Sequence, residues 1–138
     1  MKHNAAHNTG LSLTEVILAM MVFIIASGGI ITAHLYSDRM SEHATNAMRA
    51  VDDLDDIMEH IHATPFDTIQ ASFPNGVANG GGANNYAVLV GGYTLAGEQI
   101  VVTYPGQTTG RLEVRVTVNW TERARNCNTS FSTVRTEG

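Results

Sequence analysis

Residues 10–33 read GLSLTEVILAMMVFIIASGGIITA. A small residue and a short half-polar lead-in are followed by one carboxylate, Glu15, and after it no charged side chain occurs until Asp38. Val16 to Ser37 is 22 residues, which as a helix spans about 33 Å. The hydrocarbon core of a bilayer is about 30 Å thick, so the length suits one crossing. Nine Val, Leu, Ile or Phe residues lie between Val16 and Ala33. Together they contribute about −4 kcal/mol to insertion, enough for a single span. The stretch predicts a membrane-inserted helix.

Glu15 sets this segment apart from a bland anchor. A carboxylate costs about +2.5 kcal/mol or more at the bilayer centre and less toward the end of a span. Either Glu15 rests among the headgroups, or it awaits a positive partner. Cleavage after Gly10 would supply one: Leu11 would become a new N-terminus with a free α-amino group, and Glu15 the fifth residue of the shortened chain. In a stack of identical helices, Glu15 of one chain could then face the terminal amine of its neighbour.

A short leader ending in Gly, then a hydrophobic residue, Ser or Thr, Leu, any residue and Glu before an apolar helix resembles the type IV prepilins and the pseudopilins of type II secretion. Leu11 stands where Phe or Met is commoner in that family, and Thr14 where an aliphatic is usual. The resemblance implies cleavage by prepilin peptidase between Gly10 and Leu11, N-methylation of Leu11, and a subunit-docking role for Glu15. It implies other pilin or pseudopilin subunits and an inner-membrane assembly platform as partners. The location implied is the bacterial inner membrane, single pass, with the globular part periplasmic and able to enter a pilus or pseudopilus.

Residues 1–10 are polar, carry Lys2, His3 and His7, and show no apolar periodicity, as expected of a processing segment. Lys2 is the only lysine among eight basic residues, and the whole chain of 138 residues carries a formal net charge of −5. Loss of the leader would leave about −6 by the same count, and such a chain offers no clustered cations for nucleic acid. Lys2 on the cytoplasmic side would place everything after Ser37 on the other. The rival reading is an ordinary secretory signal cleaved near Ala33. Against it stand the length of the apolar run, Glu15 at its start and the helical pattern that follows.

That pattern continues through Met40, Ala44, Ala47, Met48, Val51, Leu54, Ile57, Met58 and Ile61, steps of three and four that trace one stripe of an amphipathic helix. The helix is expected from about Ser12 to His62, ending at Thr64-Pro65 because the residue before proline disfavours helix. Residues 11–37 would form the membrane or filament-core half and 38–63 the amphipathic half. Val51, Leu54, Met58 and Ile61 form its expected packing face. Asp52, Asp53, Asp55, Asp56 and Glu59 are read as a solvated or partner-facing surface, lacking the glycine-kinked spacing of a calcium loop. His60 and His62 point to different sides, and His34 and His43 stand isolated, so no metal-binding set is legible. Cys127, the single cysteine, has no internal disulfide partner and reads as a small, partly buried apolar group.

The globular part is expected over residues 64–138. Asn75 to Asn85 reads as a flexible Gly/Asn surface loop with Val77 its one core residue. Tyr86 to Val90 and Gln99 to Tyr104 read as short β-runs, and Tyr104-Pro105-Gly106 as a turn. Arg111 to Trp120 alternates Leu112, Val114, Val116, Val118 and Trp120 against polar neighbours, the mark of a half-buried antiparallel strand. Asn128 to Arg135 reads as a polar final strand. Neither the helix stripe nor the alternating strands can bury a face alone, so they are expected to pack together. The expected fold is α+β and pilin-like, a long N-terminal helix on a three- to four-stranded antiparallel sheet. The ATPFD exit after the helix and the tail to residue 138 resemble minor pseudopilins and minor type IV pilins, which implies a minor subunit. No catalytic constellation or cofactor motif is present in the sequence, and the expectation is a structural protein, not an enzyme. The competing class is a single-pass anchored or secreted binding or enzymatic domain outside any filament.

Overall fold

The computed structural model describes residues 12–81 and 84–137. They divide into two units, one ending at Ser41 and the other beginning at Glu42. Helix α1, Leu13–Ala63, contributes to both. Its bounds lie within one residue of those expected, because the signals at each end are local. At the C-terminal end Pro65 follows Thr64, whose hydroxyl donates back to the His60 carbonyl at 2.8 Å.

Between Val16 and Ala33 the helix is apolar around its whole circumference. Its side chains are exposed on every side, Leu18, Phe23, Ile24 and Ile25 among them. The few hydroxyls in this run are satisfied within the helix: Ser27 donates to the Phe23 carbonyl at 2.7 Å and Thr32 to that of Gly28 at 2.9 Å. Such back-bonding removes the cost that a free hydroxyl would carry in hydrocarbon.

The second unit is an α+β domain. Strands β1 (Gln99–Thr108), β2 (Arg111–Glu122) and β3 (Arg125–Thr136) form an antiparallel meander with β2 in the centre. The inward residues of β2 are those expected: Leu112, Val114, Val116, Val118 and Trp120 are all buried. They share one core with Ala50, Leu54, Ile57, Met58 and Ile61 of α1 and with Ile100 and Val102 of β1. Each surface supplies the apolar cover that the other lacks.

Three expectations for the connections are corrected. Tyr86–Leu89 is a one-turn helix, α3, capped by Asn85, whose side chain accepts from the Ala87 amide at 3.0 Å. A four-residue apolar run has no period of its own, and the cap decides its state. Tyr86 is fully buried and stacks on Phe73 with ring centroids 5.9 Å apart. Second, Tyr104-Pro105 does not turn the chain: the register of β1 slips between Thr103 and Gly106, so the proline sits in a bulge on an edge strand, where its missing N–H costs no ladder bond. Third, the Gly/Asn loop is tied down. Gly76 donates to the Val102 carbonyl at 2.8 Å and Asn79 to that of Ile100 at 2.7 Å, while the Asn79 side chain accepts from the Ile100 amide at 3.0 Å. The loop thus covers the free edge of β1, and Val77 is exposed instead of joining the core.

The β2–β3 hairpin turns through Arg123 and Ala124, both at positive φ (48° and 64°). A two-residue hairpin loop needs this left-handed geometry, which normally recruits Asn and Gly. Here two ordinary residues are held in it.

Candidate functional site

The N-terminal helix carries the residues singled out by the sequence. Gly10 and Leu11, the expected cleavage and methylation positions, lie outside the described residues. Glu15 is the third residue of α1. The Ser12 amide donates to its Oε2 at 3.0 Å, and the Glu15 amide donates to Ser12 Oγ at 3.3 Å. This reciprocal pair is a capping box that satisfies two of the helix's orphan donors, and the carboxylate also meets the positive end of the helix dipole. Glu15 therefore has a local structural role that the sequence reading overlooked, although Ser12-Leu13-Thr14-Glu15 spells the signature. The helix includes an 18-residue apolar stretch long enough to cross a bilayer, none of it buried among the described residues.

On the packing face, Leu54 and Ile61 are fully buried, Met58 is nearly so, and Val51 is half-buried. Ala50 and Ile57 complete that face with no exposed surface. Met48, expected on the stripe, is 68% exposed. Ala50 takes the inward position instead and is fully buried.

Asp53 departs from the reading of the acidic cluster as a solvated or partner-facing surface. It shares the face of Ala50, Leu54 and Ile57 and is only 7% exposed. Glu98, just before β1, is 6% exposed and meets it. Glu98 Oε2 accepts from the amides of Thr94 and Leu95 at 3.0 and 2.9 Å. Among the described residues, Glu98 Oε1, Asp53 Oδ2 and the buried Tyr93 hydroxyl have no hydrogen-bond partner. Two ionised carboxylates can only accept, so neither can bond the other until one takes up a proton. Burial pushes the Asp53 carboxyl up to about 7, reinforced by Glu98 and then by Asp56 and Asp52. At neutral pH the Asp53 carboxyl is thus poised to take up the proton that would let it bond Glu98. The spacing of Asp53 from Ala50 and Ile57 signals the burial; its partner, 45 residues away along the chain, is not legible.

The corner of the domain formed by α1 and the β2–β3 hairpin gathers a second polar group. His43 Nδ1 lies 2.7 Å from Glu122 Oε2, and Cys127 Sγ joins them, the three donor atoms all lying within 4.8 Å of one another. Beside them Arg123 pairs with Glu42. His43, isolated in sequence, is thus given partners by the hairpin. His62, by contrast, meets Arg135, with Nδ1 3.3 Å from Nη1.

No family model, curated protein or solved structure matches the chain.

Proposed function

We propose that this chain is a structural subunit, and a minor one, of a filament of the type IV pilus or type II pseudopilus class. In this reading prepilin peptidase cleaves after Gly10 and Leu11 is N-methylated. The chain then waits in the bacterial inner membrane with its α+β domain on the periplasmic side. The assembly platform moves it into a filament, where the apolar helix is surrounded by other pilin or pseudopilin helices. The observation that carries this is a helix apolar on every side from Val16 to Ala33, its large hydrophobic side chains exposed and its start headed by a single carboxylate. A bilayer satisfies such a surface before assembly, and a bundle of like helices satisfies it afterwards. Glu15 at the head of the rod would neutralise the amine of an adjacent subunit.

The mature N-terminus, determined by mass spectrometry of the protein recovered from its membrane, tests the proposal. An N-methylated Leu11 is the expected result. A terminus near His34, or an intact Met1, refutes processing at Gly10. One observation favours a second reading: the capping box gives Glu15 a partner inside its own chain. On that reading the helix is a plain single-pass anchor for a binding or enzymatic domain, and Glu15 never leaves Ser12.

A further inference from the structure

We infer that His43, Glu122 and Cys127 form a binding site for a divalent transition metal of the zinc class. The three donors come from three elements: His43 from α1, Glu122 from the last position of β2, and Cys127 from β3. The hairpin register sets two of them. Cys127 pairs with Trp120, and Glu122 lies two residues beyond Trp120 on the same face of the strand, which brings the thiol and the carboxylate side by side. The helix then lays the imidazole against both.

The donor set selects the metal. Hard cations such as magnesium and calcium require oxygen ligands throughout, whereas a thiolate with an imidazole suits zinc and its neighbours. A neutral imidazole, a carboxylate and a thiolate together offset a 2+ charge. In a tetrahedral zinc site, with metal–ligand bonds of about 2.0–2.3 Å, neighbouring donors sit roughly 3.3–3.7 Å apart. The group already lies within 4.8 Å. The His43–Glu122 contact at 2.7 Å needs to open by about half an ångström, a side-chain adjustment at a site where the His43 ring is 56% exposed. That exposure also gives the ion an entry path and leaves its fourth position to water. The Arg123 guanidinium is turned to Glu42.

A plain His–Glu ion pair makes the opposite prediction, since it needs neither the thiol nor a metal. The test uses the full chain in detergent micelles under a metal-free phosphine reductant, titrated with Co²⁺ and then with Zn²⁺. The expected result is one Co²⁺ per chain with a thiolate-to-cobalt charge-transfer band, discharged by one equivalent of Zn²⁺. C127S abolishes the band. H43A and E122Q each weaken zinc binding by roughly tenfold or more, since even partners outside the ligand set commonly cost 10- to 100-fold. The emission of Trp120, the single tryptophan, reports that each variant is folded. Absence of the band in the folded wild type, or zinc binding by C127S as tight as that of the wild type, overturns the assignment. Binding through other histidines gives no sulfur band and also counts against it.

Discussion

Replacing Asp53 with asparagine makes the protein more stable at neutral pH, and the gain vanishes in acid. Asp53 is raised from 3.8 to about 7, first by burial. A carboxyl whose pKa is higher folded than unfolded binds its proton more tightly in the native state. Its contribution is complete below about pH 4, declines as the pH climbs from 4 to 7, and is level above that. At about 1.4 kcal/mol per unit, the shift of roughly three units corresponds to about 4 kcal/mol. With Asp53 only 7% exposed, solvent screens little of this. Asparagine has nearly the same shape, cannot ionise, and presents an N–H that Glu98 can accept. D53N is therefore expected to exceed the wild type by about 2–4 kcal/mol at pH 8 and by less than about 0.5 kcal/mol at pH 4. Urea unfolding of the full chain in micelles, followed by Trp120 fluorescence, measures both. Other carboxylates also affect acid stability, so the difference between variant and wild type is the decisive quantity. A difference independent of pH, or a D53N less stable than the wild type at pH 8, refutes the buried-proton argument.

Three further outcomes follow from the geometry. S12A removes the hydroxyl of the capping box but keeps the carboxylate, so if Glu15 docks a neighbouring amine, S12A enters filaments normally while E15A does not; equal defects in sheared-filament immunoblots would assign Glu15 to capping alone. A124G relieves a left-handed alanine at φ 64° and is expected to stabilise the domain by about 0.5–1 kcal/mol, read as a raised urea midpoint. Gly80 has φ +71°, and an added Cβ would come 2.9 Å from the Tyr86 ring and collide with the Asn84 carbonyl; G80A is expected to cost about 1–3 kcal/mol, seen as a lowered midpoint with the loop freed from the edge of β1.

Much of the architecture is encoded in short windows of the chain. The apolar run after Glu15, the three-and-four spacing to Ile61, Pro65 and the alternation from Leu112 to Trp120 each express a local period or steric break. Helix, strand and fold class follow from these. The capping box was equally local: Ser12 and Glu15 lie within a single turn. What tertiary structure alone decided is which distant groups meet. Asp53 finds Glu98 because the helix face and the approach to β1 are pressed onto one core. His43 finds Glu122 and Cys127 because a hairpin closes beside the helix about 80 residues later. Tyr86–Leu89 became a helical turn because of its Asn85 cap and its buried ring. Periodicity records which face of an element avoids water, but not which other element covers it, and the chemistry of this domain lies in those coverings.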